Sequence, residues 1–129
     1  MKLPDTYKLQ FHPLVLEVVE VLDFQGIPVL TVEGNQFGLH CLSYLLQFTQ
    51  EGVEQRLVAP VTEARLEELK TGQISVRDAF NASELDQVFC LLYDEATGET
   101  LESWLLPTLY FRQINPIPAE YQIAALSLS

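Results

Sequence analysis

The chain has 129 residues, 48% of them apolar, with 18 acidic and 7 basic side chains and a net charge of −11. The length fits one globular domain, and the apolar share together with 10% aromatic residues excludes intrinsic disorder. The negative charge argues against direct binding to nucleic acid or to an anionic membrane surface.

Targeting and redox signals are weak in this sequence. Pro4 and Asp5 interrupt any signal peptide, and no apolar run approaches the roughly 20 residues that cross a bilayer. We therefore expect a cytoplasmic protein. Cys41 and Cys90 each lie within an apolar run, so buried, reduced cysteines are expected, with a disulfide between them as the less favoured alternative.

The first half of the chain is typical of a β-meander. Strands are predicted at Leu14–Phe24, Pro28–Glu33 and Val53–Val61, where Val and Leu are frequent, and glycine-containing turns follow the first two. Phe37–Phe48 is ambiguous because its polar residues recur at helical spacing. The turn-like pair Glu51-Gly52 before the next strand favours a strand here too.

Two helical segments follow the meander. Thr62 can cap a helix that has Glu63 in its first turn and Lys70 in its last, and Gly72 is placed to end it. A second, shorter helical turn is predicted over Ser75–Phe80, where Ser75 and Asp78 have the spacing of a capping pair.

The second half returns to strands. Gln87–Tyr93 and Thr100–Leu106 are predicted to form a hairpin, Leu109–Ile114 is a possible further strand, and Ala119–Leu126 is predicted as a short helix after Pro118. Strands, then helices, then strands indicate a single α+β domain over residues 1–129, with a mainly antiparallel sheet.

Four segments resemble an uncharacterised bacterial domain family. Leu57–Thr62 leads into a helix, then Gly72-Gln73-Ile74 and the turn Arg77-Asp78-Ala79-Phe80. Leu22–Pro28 is similar to the family's first turn, although here Ile27 separates the glycine from the proline. The resemblance covers residues 15–95. It implies a β-meander followed by a capped helix and a bacterial setting, and it supplies no catalytic residue.

No motif indicates catalysis, a metal or a cofactor. His40 and Cys41 are adjacent, so on a strand their side chains point to opposite faces and cannot act together. The acidic residues 94–99 lack the alternating ligands of a calcium loop, and the glycines occur singly, unlike those of a phosphate-binding loop. An enzyme would need a pocket with at least two perturbed titratable groups. We expect no catalytic residue, no bound metal and no cofactor.

Two surfaces are candidates for interaction. Residues 63–105 hold 10 acidic and 3 basic side chains, whereas residues 106–129 contain one of each. The acidic region is either a solubilising surface or a face for a basic partner. The neutral, aromatic C-terminal segment has the composition of binding hot spots, or alternatively closes the core or adds an edge strand. The predicted partner-binding residues are Tyr110, Phe111, Arg112, Ile114 and Tyr121.

These observations favour a non-catalytic protein-binding module within a larger bacterial assembly. The expected partner is another protein, or a second copy of this chain that associates through a sheet edge or through the C-terminal segment. The alternative function is an acidic inhibitor or immunity-type protein that blocks the basic groove of a nucleic-acid enzyme.

Overall fold

The computed structural model describes residues 2–12, 15–35 and 37–123. Six strands form one antiparallel sheet in the order β1-β2-β3-β4-β5-β6, so each strand pairs with its neighbours in the chain. The strands are β1 (Glu17–Phe24), β2 (Pro28–Gly34), β3 (His40–Gln50), β4 (Val53–Pro60), β5 (Gln87–Asp94) and β6 (Thr100–Pro107). The helices are α1 (Glu63–Lys70), α2 (Val76–Asn81) and α3 (Thr108–Ile114), and a short 3-10 turn covers Asp5–Tyr7. The prediction of an α+β fold is confirmed.

The first strand is shorter than predicted. It begins at Glu17 rather than Leu14, and Leu14 itself lies outside the described residues. The strand interpretation of the third element is confirmed, although its first residues differ. Asn35 Oδ1 accepts hydrogen bonds from the backbone N–H groups of Phe37 and Leu39, both at 2.9 Å, so this segment turns before β3 begins.

The two predicted helix caps are confirmed. Thr62 Oγ1 accepts a hydrogen bond from the Arg65 N–H at 3.2 Å, and Ser75 Oγ accepts one from the Asp78 N–H at 3.1 Å. Each bond satisfies a backbone donor that lacks a partner within its helix. Gly72 has φ +81°, which suits the left-handed position after α1.

The segment Leu109–Ile114 is not a strand, and this prediction is wrong. The chain forms α3 immediately after Pro107. Its inward residues, Thr108, Phe111 and Ile114, recur every three positions, which is a helical spacing rather than the alternation of a strand. Aromatic residues favour strands on average, but the packing of this stripe against the core stabilises a helix.

The predicted C-terminal helix does not begin at Ala119. Ala119 and Glu120 lie in a turn, and Tyr121 and Gln122 are outside any helix. Residues 124–126 of that prediction lie outside the described residues.

The main core lies between the helices and one face of the sheet, here called the helix face. Buried apolar side chains from all three helices meet side chains from β2–β6 there, among them Leu42, Leu57, Leu69, Phe80 and Phe111. The opposite side of the sheet, here called the open face, has a much smaller apolar cluster of Cys41, Val58 and Leu91. The two faces therefore differ in how well they are covered.

The N-terminal residues cover the outer edge of β6. Lys8 forms a β-bridge with Trp104, and the Leu9 N–H donates to the Ser103 carbonyl at 2.8 Å. The chain then passes onto the open face, where His12 Nδ1 lies 2.9 Å from Ser103 Oγ and Leu16 packs on the small apolar cluster. His12, Val15 and Leu16, here called the crossing segment, lie on the open face before β1 begins.

Two alanine substitutions test whether residues 108–114 form a helix. In a strand, Leu109 and Phe111 would share a face, but here Leu109 is 72% exposed and Phe111 is fully buried. We expect Phe111→Ala to lower the free energy of unfolding by about 3–5 kcal/mol, and Leu109→Ala to change it by less than about 0.5 kcal/mol. Urea denaturation measures both values, and similar losses for the two variants would contradict the helical assignment.

Candidate functional site

The open face carries polar side chains on its central strands. Alternation along β2, β3 and β4 directs Thr31, Glu33, Ser43, Glu54 and Arg56 to this side, and the register places Thr31 opposite Ser43. Thr31 and Ser43 are each 1% exposed and Arg56 is 8% exposed. A sheet face with buried polar groups at its centre must satisfy them internally.

Arg56 satisfies that requirement by crosslinking three strands. Its Nε donates to Ser43 Oγ at 2.6 Å, and Nη2 donates to the carbonyls of Ser43 at 3.2 Å and Val29 at 3.4 Å. Nη1 donates to the Pro28 carbonyl at 3.2 Å and to Glu54 Oε1 at 3.0 Å. These are five bonds, and a guanidinium has five N–H donors. The guanidinium therefore has no donor left over.

Of the two acids in this group, Glu33 has the fewer contacts that offset its negative charge, because Glu54 forms the ion pair with Arg56. In the described part of the chain its side chain accepts one hydrogen bond, from Thr31 Oγ1 at 3.3 Å. Burial raises the pKa of the Glu33 carboxyl, the positive charge of Arg56 lowers it, and the negative charge of Glu54 raises it. The net pKa is raised, which means that the surroundings favour the neutral acid over the carboxylate.

These side chains lie at a cavity of about 600 Å³. Its volume is within the range of small-ligand sites, about 300–1,000 Å³. Apolar side chains from the crossing segment, from β1 and from the β1–β2 turn form part of its wall. The cavity is lined by His12, Val15, Leu16, Val18, Ile27, Pro28, Thr31, Glu33, Ser43, Phe48, Glu54, Arg56, Leu91, Tyr93, Glu95, Gly98, Glu99 and Thr100.

Among the described residues, the histidines and cysteines do not place an accessible nucleophile beside a base. His12 lines the cavity, but its neighbour Ser103 is fully buried. His40 lines a groove on the helix face, whereas Cys41 lies in the apolar cluster of the open face. The side chains of His40 and Cys41 therefore point to opposite faces of the sheet, as expected. Burial raises the pKa of Cys41 to about 11, which keeps its thiol protonated at neutral pH.

The second cysteine is also a core residue. Cys90 belongs to the core on the helix face, and burial raises the pKa of its thiol to about 11. Both cysteines are free, as expected, and they lie on opposite faces of the sheet. Within residues 2–12, 15–35 and 37–123, no three His, Cys, Asp or Glu side chains converge as a metal site requires.

The predicted partner-binding residues of α3 lie against the fold. Phe111 is fully buried, with its ring centroid 6.4 Å from that of Phe80. Tyr110 is half-buried, with its ring centroid 5.0 Å from that of Tyr7, and Ile114 packs against the core. Arg112 is exposed, although its Nε donates to a backbone carbonyl of α2 at 2.8 Å. Partner binding by these residues stays a prediction, and their contacts here are internal.

Tyr121 connects the C-terminal segment to β1. Its hydroxyl donates a hydrogen bond to Asp23, which is buried on the helix side of the strand, and its ring centroid lies 5.8 Å from that of Tyr44. Burial, followed by this hydrogen bond, raises the pKa of the Tyr121 hydroxyl well above its usual value. The contact closes the core beside the first strand.

Sequence reasoning missed the polar group at the cavity. Thr31, Glu33 and Ser43 alternate with apolar residues, a pattern that is equally typical of a solvated sheet face. The stronger signal was the polar run Glu54-Gln55-Arg56 inside an otherwise apolar strand. This run indicates buried polar side chains only if β4 is a central strand of the sheet. The local sequence pattern does not determine the position of a strand in the sheet.

A family model described as "Family of unknown function (DUF6575)" matches residues 14–117. The chain belongs to this family. The match spans every strand and helix of the fold and all cavity residues except His12. The expectation of an uncharacterised family is thus confirmed. Comparisons with curated proteins and with solved structures find no match. No helix of this DUF6575 chain within the described ranges is long and apolar enough to cross a membrane.

Removal of the central guanidinium tests its importance to the sheet. Arg56→Ala would leave Glu54 and several carbonyls buried without their donors. Breaking a buried ion pair in this way costs about 3–5 kcal/mol. The matched control is Arg65→Ala on α1, where a partly exposed pair with Glu68 at 3.8 Å is worth at most about 1 kcal/mol. Chemical denaturation that shows equal losses for both variants would contradict the crosslinking interpretation.

The raised pKa of Glu33 predicts a pH-dependent stability. Between the ordinary value of 4.5 and the raised value, the folded state binds more protons than the unfolded chain, so the free energy of unfolding falls as pH rises. Glu33→Gln abolishes this loss. We expect the stability of the variant relative to the native chain to increase as pH rises above the ordinary value of 4.5.

Urea denaturation across that pH range measures the difference. Glu67→Gln, at an exposed position on α1, is the matched control for loss of one carboxylate. A difference between Glu33→Gln and the native chain that does not change with pH would contradict the prediction.

Proposed function

We propose that the protein is a non-catalytic binding module that acts in the cytoplasm within a larger bacterial assembly. It captures an extended segment of a partner protein, which adds as a further strand at the outer edge of β1. The observation that carries this proposal is the open edge of β1 together with its exposed apolar side chains. Strand addition of this kind is a recurring mode of peptide recognition.

The two edges of the sheet differ in a way that supports this proposal. The β6 edge is bridged by Lys8, whose ammonium forms an ion pair with Glu102 at 2.7 Å and lies 5.8 Å from the centre of the Trp104 ring. Within the described residues, β1 pairs only with β2. An edge strand with unpaired N–H and C=O groups is a template for another chain.

The side chains of β1 favour an apolar contact on the open-face side. Val18 and Val21 are 57% and 45% exposed, and Phe24 at the end of the strand is exposed as well. On the helix side, Glu20 pairs with Lys70 at 2.9 Å, and Asp23 accepts from Tyr121. Glu20 and Asp23 are therefore already engaged, which leaves Val18 and Val21 on the open-face side available to a partner.

Charge favours a basic partner segment over a second copy of the chain. Two copies would each bring a net charge of −11 to the contact, and like charges repel. The cavity next to Val18 is lined by four glutamates and one arginine. A segment with alternating apolar and basic residues would place its apolar side chains on the valines and its basic ones beside these carboxylates.

The alternative proposal, an acidic inhibitor of a nucleic-acid enzyme, has less support. The acidic side chains of residues 63–105 lie near two opposite ends of the sheet. Glu84 accepts hydrogen bonds from Thr62, just beyond the end of β4, whereas Asp94 pairs with Val53 at its start. Eight residues of strand separate these ends by about 25 Å. This division argues against one continuous acidic face.

Lysine substitutions on β1 test the proposal. Display selection of random extended peptides against the full chain is expected to enrich alternating apolar and basic sequences. Val18→Lys and Val21→Lys remove apolar contact and repel a basic segment, so each variant should weaken binding of the selected peptides roughly tenfold, about 1.4 kcal/mol. Isothermal titration calorimetry gives the affinities.

The matched control is Leu109→Lys, an exposed leucine on α3 that lies away from β1. It should leave the affinity unchanged. Peptides whose binding is lost with Leu109→Lys but kept with Val21→Lys would overturn the β1 assignment. A dimer in light scattering that dissociates with Val21→Lys would also overturn it, because the edge would then be occupied by a second copy.

A further inference from the structure

The cavity on the open face has its own ligand chemistry, which does not depend on a strand at β1. We propose that it is a binding site for an organic cation, an ammonium or guanidinium group attached to an apolar body. Three features of the cavity support this inference: the saturation of Arg56, the spare acceptor capacity of Glu33, and the composition of the walls.

An anionic ligand would find no free guanidinium or ammonium group among the described residues of this cavity. Arg56 is its sole lining residue with a fixed positive charge among the described residues, and all five of its N–H donors are engaged within the fold. Four glutamates line the same cavity. A carboxylate or phosphate would therefore meet repulsion without a charged hydrogen-bond donor.

A cation, in contrast, finds a carboxylate with free acceptor positions. The Glu33 side chain has one hydrogen bond in the described structure, and an ionised carboxylate has about four lone-pair sites. Burial disfavours its negative charge, as the raised pKa of Glu33 reflects. A bound cation would compensate that charge and would gain a charge-assisted hydrogen bond.

The walls suit the body of such a ligand. Val15, Leu16 and Val18 form an apolar side of the cavity. Phe48 and Tyr93 occupy the two cross-strand positions opposite Glu54 and also line the cavity. Aromatic rings attract cations, and aliphatic side chains accommodate an alkyl chain.

The same chemistry could come from two sources. One is a free organic amine or guanidine, and the other is a lysine or arginine side chain of a segment bound at β1. Val18 connects the two sites, because it belongs to β1 and lines the cavity. The experiment therefore needs probes of the isolated functional group as well as a peptide.

Nuclear magnetic resonance of the full, isotope-labelled chain tests the site. The probes are butylguanidinium and butylammonium, with neutral pentanol and anionic butyrate as matched compounds of similar size. We expect saturable shifts of the Thr31, Glu33, Ser43 and Arg56 amide signals with the two cations alone. Glu33→Gln should weaken cation binding roughly tenfold, whereas Glu67→Gln on α1 should leave it unchanged.

Three results would overturn the proposal. Equal binding of pentanol and the cations would show a merely apolar cavity, and unchanged affinity in Glu33→Gln would remove Glu33 as the recognition group. Absence of saturable shifts up to about 50 mM would exclude a site. If the proposal holds, the selected peptides distinguish the two sources of the cation. Competition between a peptide and butylguanidinium for the cavity indicates a side chain of the bound segment. Simultaneous binding of both indicates a free organic cation. Failure of peptide binding at β1 leaves the cation result intact, so the two proposals fail separately.

Discussion

The buried guanidinium of Arg56 is the interaction on which the open face depends. It joins β4 to β3 through Ser43 and to β2 through the carbonyls of Pro28 and Val29. A charged group at 8% exposure is costly unless every donor is satisfied. The engagement of all five N–H donors of Arg56 has a second consequence. Because every donor is bonded within the fold, the guanidinium has none to offer a ligand. The same contacts that hold the sheet together therefore leave the cavity with an acidic character.

The uneven covering of the sheet follows from the course of the N-terminal chain. Residues before β1 cover the β6 edge and then cross the open face, where Leu16 packs on Cys41, Val58 and Leu91. The crossing segment lines the cavity on one side and is followed by β1, whose outer edge has no strand partner among the described residues. One segment thus protects one edge of the sheet, forms a wall of the cavity and positions the strand at the other edge. The proposed strand-binding edge and the proposed cation site are neighbours for this reason.

Much of the fold could be predicted from sequence because it depends on local signals. Caps at Thr62 and Ser75 placed α1 and α2, and apolar runs between turn residues placed most strands within a few positions. The wrong strand at Leu109–Ile114 shows where such signals fail: aromatic residues favour strands on average, but the stripe of Thr108, Phe111 and Ile114 fits a helix against the core. The cavity could not be predicted because Glu33 and Arg56 meet only through strand order and register.

Register is therefore what determines the chemistry of the open face. Side chains alternate between faces, so a slip of β4 by one residue would turn Arg56 toward the core and bring Leu57 to the open face. The buried network resists that slip, since the guanidinium must meet Ser43 and Glu54 at the same time. A hydrophobic pattern alone would specify this register less strongly on a face with so few apolar residues. The polar group thus selects one alignment of the central strands, and that alignment places Glu33 beside apolar walls, where burial disfavours its negative charge and the proposed cation would compensate it.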